Sequence, residues 1–438
     1  YLGRCYLELG EHERAIPYFE RVYKLNPKNF ENLYYYGFVK LLGEKYAESV
    51  HLLREAMALD INHLNVWELL GDNYLHLGKE KEANQCFALV VESEHENLYL
   101  TKARAYQIAG KEAEFEKFVK KAEEDITEHI YSAMLHFKYS PLFHRIKNLF
   151  LNQQPFKDES GVVVNGQELA SSPSYLKLKS LLTEGVKRKE KKRILKKYSL
   201  KKRANAFREL GFGFVHLGDV AFLKGQPGVS LFFYRAAERV YLREKELKFR
   251  DLTGFEDLAY RRIGDVLSHF GYYQEAVEAH LLSLEINGDQ PIEYFKTGLN
   301  FYLSSFEKRF PLQQASAVDQ AIGHFTLATK SVFNNLKSPY ARFIYVLSSY
   351  FKTKCLEIIG GFEKANTFLV EVSKTLKTYN TLWLALAESY INYEKEVWDR
   401  DQEGGYILKY TTDKGRYYRE AKEVLKKVLE IDPRNEKA

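Results

Sequence analysis

Cysteine, tryptophan, methionine and proline are all scarce among these 438 residues, with 3, 3, 2 and 10 copies. Cys5, Cys86 and Cys355 are far apart and odd in number, with no C-x-x-C pair. That argues against a disulfide framework and nearly excludes a thiolate zinc site. They read as buried free thiols, which leans toward a reducing, cytoplasmic setting. No apolar run approaches the roughly 18 residues that a membrane-spanning helix needs. No signal peptide is visible, but Tyr1 stands in mid-pattern. The true N-terminus is therefore expected upstream, and a bacterial periplasm stays open.

Catalytic signatures are missing too. GFGFVHLG, from Gly211 to Gly218, fails the G-x-G-x-x-G spacing because His216 takes the last glycine position, and no strand precedes it. His12-Glu13 opens like H-E-x-x-H, but Ile16 occupies the second histidine position. His76 and His269 are isolated, and neither a G-x-S-x-G elbow nor a P-loop occurs. No enzyme activity, cofactor or metal is expected.

What is abundant is flat rings and one block of charge. There are 32 Tyr and 29 Phe, and the formal net charge is +6. VKRKEKKRILKKYSLKKR, Val186 to Arg203, holds eleven cations (Lys187, Arg188, Lys189, Lys191, Lys192, Arg193, Lys196, Lys197, Lys201, Lys202, Arg203) against Glu190 alone. Without this +10 segment the rest of the chain stands at −4, so the protein is near-neutral with one basic tract.

The chain repeats itself. Gly3, Gly37 and Gly71 are spaced 34 residues apart, and Phe19, Leu53 and Phe87 follow in the same register, as do Val22, Ala56 and Val90. Tyr6 and Tyr74, Gly10 and Gly78, and Ala15 and Ala83 match, while the middle copy has Lys40, Glu44 and Ser49 there. Within each copy, apolar residues recur at helical spacing, a Gly or polar group interrupts, and a second helix begins. Asn26-Pro27 closes the first copy, because the residue before a proline disfavours helix.

This register resembles the tetratricopeptide repeat (TPR) family, whose helix–turn–helix unit places Gly or Ala, Tyr, Gly, Ala, a ring and Ala at these positions. YLGRCYLELGEHERAIPYFERVYKLNP is a close match. Further copies follow through Gly110 and Ala122, Gly218 and Tyr234, Gly264 and Ala276, Gly298 and Phe325, Gly360 and Ala365, and Trp383 and Ala421. The last has an insertion from about Asp399 to Gly415. The expected fold is all-α, a right-handed superhelix of about nine stacked TPR helix pairs in two arrays. The N-terminal array spans 1–126 and the C-terminal array 204–438. Residues 127–203 form an irregular middle with a polar loop, a short strand at Val162–Val164 and the basic helix.

The resemblance implies a concave binding face lined by first-helix residues. Carried over residue by residue, the leading candidates are Tyr34, Phe38 and Leu41, then Asp72 and His76, then Phe212, Asp219 and Phe222, then Arg261 and Asp265, then Phe295 and Tyr302. The apolar, aromatic copies suit a partner peptide with hydrophobic anchors; equally, these side chains could pack against neighbouring repeats. Chaperone-binding members grip a C-terminal carboxylate with an Asn where this chain has Phe38, between Arg4 and Asp72. A heat-shock chaperone tail is therefore disfavoured.

In the basic tract, Ile194, Leu195 and Tyr198 sit at helical spacing, which reads first as a connecting helix packing one stripe on the array. A docking surface for an acidic partner comes second. Nucleic acid comes last with lipid, since Tyr198 is the tract's one ring and stacking recognition wants interleaved aromatics. The reading is a non-catalytic protein–protein interaction scaffold. The alternatives are a nucleic-acid-associated regulator using 187–203, or the helper module of an enzyme whose catalytic domain lies elsewhere.

Overall fold

The computed structural model describes residues 1–93, 97–135, 137, 141–151, 156–157, 163–164, 166–184, 186–198, 203–246, 256–402, 415–432 and 435. Among them nine helix pairs follow one another. The first four are α1 (Leu2–Glu8) with α2 (His12–Leu25), α3 (Phe30–Leu42) with α4 (Tyr46–Leu59), α5 (Leu64–His76) with α6 (Glu80–Glu92), and α7 (Leu98–Ile108) with α8 (Glu112–Leu135). The irregular middle holds α9 (Pro141–Leu151), β1 (Phe156–Lys157), β2 (Val163–Val164), α10 (Gly166–Ser171), α11 (Pro173–Thr183) and α12 (Arg188–Lys197). Five more pairs follow: α13 (Arg203–Leu223) with α14 (Pro227–Glu246), α15 (Glu256–His269) with α16 (Tyr273–Ile286), α17 (Pro291–Ser305) with α18 (Pro311–Val332), α19 (Pro339–Ile358) with α20 (Phe362–Thr375), and α21 (Asn380–Gln402) with α22 (Arg416–Ile431).

The protein is thus an all-α helical-repeat solenoid. One antiparallel ribbon is added in the middle, pairing Phe156 with Val164. The expected strand is its second strand, although Val162 itself lies outside the described residues. So does 403–414, most of the insertion expected in the last repeat.

Five of the repeats close on the same kind of contact. A Cβ built on Gly3 would stand 2.9 Å from Phe19, on Gly37 2.8 Å from Leu53, on Gly71 2.9 Å from Phe87, on Gly218 2.3 Å from Tyr234, and on Gly264 2.6 Å from His280. In every case the bulky partner comes sixteen residues later, on the second helix, and fills the space that the missing side chain leaves. The turn between the helices needs a left-handed residue, and Gly10, Gly78, Gly225 and Gly271 supply it with φ of 77°, 71°, 70° and 83°. The second repeat puts Glu44 there, at φ 57°. Its other departures are also accommodated. Lys40 reaches Glu48 at 2.6 Å, and the Ser49 hydroxyl donates to the Gly37 carbonyl at 2.7 Å. As the Asn-Pro pair implied, α2 stops at Leu25, and the Asn29 side chain caps α3 by accepting the Asn32 N–H at 2.8 Å.

By packing, the chain forms two compact units, Tyr1–Val91 with Phe301–Ala438, and Glu92–Asn300. These bounds follow contacts, whereas the arrays drawn at 126 and 204 follow the repeat register. Within the first unit, α5 packs against α19 and α21, and Phe87 meets the Phe343 ring at 5.1 Å. Within the second, α13 lies on α8 and the core is dense in rings, among them Phe150, Phe207, Phe214, Phe232, Phe233 and Tyr234. The Tyr175 hydroxyl donates to the Phe150 carbonyl at 3.0 Å, so this ring also satisfies buried backbone. Cys86 and Cys355 are buried as expected, and burial pushes each thiol up to about 12. Cys5 is exposed, because α1 buries only Gly3.

Candidate partner-binding grooves

First-helix residues of the second repeat form a patch of rings in the first unit. Phe30 lies 4.9 Å from His63 and 6.5 Å from Tyr34, and Tyr34 lies 5.5 Å from His63. Tyr34 and Phe38 are half-buried and Leu42 is exposed, whereas Leu41 is buried inside the repeat. The Arg4 guanidinium sits 4.7 Å above Tyr35 and pairs with Glu31 at 2.6 Å, giving the patch a charged edge. Glu68, on α5, is half-buried, and burial followed by the nearby Asp72 raises its carboxyl pKa.

The next turn along is different. Asp72 and His76 are buried under the chain's own later helices. Arg342 from α19 donates to one Asp72 oxygen at 2.6 Å, and the Tyr379 hydroxyl donates to the other at 3.1 Å. His76 is sandwiched between Tyr46 at 4.3 Å and Tyr379 at 4.0 Å, with its Nδ1 3.0 Å from the Thr378 carbonyl oxygen. Burial lowers the His76 pKa, only partly offset by Asp72. The Arg342 guanidinium is also burial-disfavoured, but Asp72 outweighs that and holds it charged. The groove that the sequence pointed to therefore has an open half, at Tyr34 and Phe38, and a self-occupied half, at Asp72 and His76. Tyr302, in the same unit, is half-buried and packs its ring on Phe306 and Phe351 at 5.1 and 5.6 Å.

In the second unit the candidate positions feed a network of buried charge. Asp219 is paired with Arg262 at 2.8 Å, accepts from the Tyr234 hydroxyl at 2.7 Å, and lies 3.7 Å from Arg104. Glu92 closes the ring, at 3.0 Å from Arg104 and 2.8 Å from Arg262. Burial pushes the Glu92 carboxyl up, yet Arg104 and Arg262 outweigh it and hold the pKa at about 2. Asp265 extends the network to Lys296 at 2.8 Å, and Glu293 takes the His280 ring at 2.8 Å. Arg261 bonds the Gln290 side chain at 3.2 Å, and Phe295 is buried. Phe222 is exposed beside His269, 5.7 Å away edge-on, while Phe212 is half-buried against His216 at 5.8 Å.

Glu92, Arg104, Arg262, Glu293 and Lys296 were not foreseen as members of this network. His280 had a readable signal, because it stands in the ring position sixteen residues after Gly264. Also unforeseen is a groove of about 560 Å³ between α8 and α11, floored by Phe115 and Val119. Its polar wall has Glu123 tied to Ser174 at 2.7 Å and to Lys224 at 3.0 Å.

Of the basic tract, Lys201 and Lys202 lie outside the described residues, and Arg203 opens α13. The remainder forms α12, lying on α8. Ile194 is buried with Tyr131 and Leu181, and Tyr198 packs beside them. Arg193 pairs with Glu128 at 2.5 Å, and Lys197 reaches Asp125 at 2.9 Å and Glu128 at 3.4 Å. Lys187, Arg188, Lys192 and Lys196 are exposed, and Lys191 is half-buried. Among the described residues no helix is long and apolar enough to cross a membrane, and no cluster of three or more His, Cys, Asp or Glu could hold a metal.

Two family models match the sequence. The one described as anaphase-promoting complex, cyclosome, subunit 3 covers residues 8–88, and the one described as tetratricopeptide repeat covers 413–435. The chain carries tetratricopeptide-type repeats. No curated protein sequence gives a significant match. Among solved structures, this tetratricopeptide-repeat chain is similar to the TPR domain of P58(IPK), at 15% identity over 99% of this chain and 98% of that one, with a TM-score of 0.20. Yeast Tom70 follows at 15% identity, 98% and 96% coverage and a TM-score of 0.21. A human IFIT1 dimer with PPP-AAAA follows at 13% identity, 92% and 89% coverage and a TM-score of 0.29.

Proposed function

We propose that this tetratricopeptide-repeat protein is a non-catalytic interaction scaffold that seats a protein partner segment on the open, ring-lined part of its first unit's groove. One observation carries the reading. Tyr34 remains half-exposed in a cluster with Phe30 and His63, and Phe38, one turn further along α3, is half-exposed too, while the adjoining Asp72 and His76 are already satisfied by the chain itself. Half-exposed rings bounded by charge are what a binding hot spot uses, since they offer apolar area at low entropy cost. Phe222 beside His269 is a second, smaller ring surface of the same kind, in the other unit.

The partner's matching chemistry is an apolar or aromatic anchor flanked by a cation facing Glu68. Pull-down of bound protein by the intact chain tests it, compared with Tyr34→Ala, Phe38→Ala and Phe222→Ala. Recovery should fall for the first two at unchanged thermal stability. Undiminished recovery in all three variants rules groove recognition out.

A further inference from the structure

Among the described residues, the outward face of α12 is a strongly charged surface that the fold leaves unused. Its inward face is accounted for: Ile194 is 1% exposed, the Tyr198 hydroxyl donates to Asp125 at 2.6 Å, and the Ser132 hydroxyl donates to the Tyr198 carbonyl at 3.1 Å. These contacts hold the helix against α8 as a fixed element. Arg193 and Lys197 spend their charges on Glu128 and Asp125 in the same docking. Arg188, Lys189, Lys192 and Lys196 do none of this. They are exposed and make no ion pair with a described residue.

Arg188, Lys192 and Lys196 fall at successive four-residue steps, so they line one face about 6 Å apart. Like charges at that spacing cost a helix a few tenths of a kcal/mol per pair. A helix kept only for solubility would alternate signs along this face, as stable surface helices do. Here the single acid, Glu190, is not interleaved with the three. The stripe is a repulsion that an anionic partner would relieve.

We infer that this face docks an acidic helix or acidic extended segment of a protein partner. Two features favour protein over nucleic acid. The only ring of the tract, Tyr198, is already stacked on His129 at 4.9 Å and bonded to Asp125, so no base can stack on it. And the stripe is short: three cations at four-residue steps span about two helical turns, enough for a short acidic segment, whereas a phosphate backbone continuing past them gains no further cation in line with them on α12.

The test uses the full chain, with fluorescein-labelled polyglutamate and a labelled single-stranded RNA of equal length, read by anisotropy at about 50 mM salt. Polyglutamate should bind with an affinity that falls as salt rises. The Lys192→Glu, Lys196→Glu double variant should bind it about tenfold or more weakly, whereas Lys192→Arg, Lys196→Arg and the distant Lys28→Glu should bind as the native chain does. Phe38→Ala should leave this binding intact, which separates it from the groove. Absent polyglutamate binding, or equal binding by the charge-reversed variant, overturns the proposal. So does RNA binding tighter than polyglutamate and lost in that same variant, which would make the face a nucleic-acid surface.

Discussion

A methyl group added at Gly71 has nowhere to go. Its carbon would stand 2.9 Å from the Phe87 ring, which is itself buried against Phe343 and cannot retreat. Gly71→Ala should therefore destabilise the protein by about 1–3 kcal/mol, the usual cost of overpacking a filled core. An unchanged urea midpoint for that variant would show that the Gly–ring contact does not limit helix approach. Glu44 is the converse case. It holds φ 57° at the turn where Gly10 and Gly78 stand in the flanking repeats. A left-handed L-residue costs about 1–2 kcal/mol, and glycine returns about 0.5–1 kcal/mol of that as extra unfolded-state entropy. Glu44→Gly should thus raise stability, by about 0.5–1 kcal/mol when the lower and upper ends of those ranges are compared. Equilibrium urea unfolding decides it, and a lower midpoint would contradict the strain argument.

Among elements, the decisive contact in the first unit is the one that α19 and the start of α21 make on α5. Arg342 is the cation nearest to Asp72, a carboxylate only 4% exposed. Arg342→Ala would leave that charge buried with the Tyr379 hydroxyl and a neutral imidazole, a loss of about 3 kcal/mol, the lower end for breaking a buried pair. The Asp72→Asn, Arg342→Ala double variant should lose less than the two single losses added together, because the pair acts as a unit. Strict additivity in thermal or urea unfolding would mean that the two side chains do not interact. The same contact shows what was legible beforehand. Five of the nine helix pairs were readable because they repeat one local constraint, a small residue on the first helix against a bulky one on the second. Asp72 and His76 were readable as groove positions for that reason. That they are occupied was not readable, because Arg342 lies 270 residues away in sequence and nothing local to Asp72 specifies it. The charges of the second unit were hidden likewise. Glu92 ends one repeat, Asp219 and Arg262 lie in two others, and only packing brings them together. The basic tract was half legible: the stripe of Ile194 and Tyr198 announced a docked face, while its acid partners on α8 looked like ordinary surface residues.

At the scale of the whole molecule these buried groups set a two-stage response to acid. His76, His129 and His324 all have folded-state pKa values lowered, in each case first by burial. The unfolded chain takes up protons at these sites near the ordinary value of about 6.5, while the native chain does not until lower pH. The unfolded state then binds more protons, so stability must fall as pH drops through that value and level off once the native sites also protonate. The carboxylates act lower down. Glu92, held at about 2 against its burial by Arg104 and Arg262, and Asp125, held low against its burial by Lys197, Tyr198 and Asn97, contribute stability above the usual carboxylate range. That contribution is lost as pH falls from about 4.5 toward the folded values. Urea midpoints measured from neutral to acid pH should therefore decline gently between about pH 7 and 5, then steeply below about 4.5. His76→Gln should flatten the first decline and leave the second. Midpoints that hold constant or rise between about pH 7 and 5 would mean that the histidines are not buried in the neutral form as the stacking of His76 between two tyrosines requires.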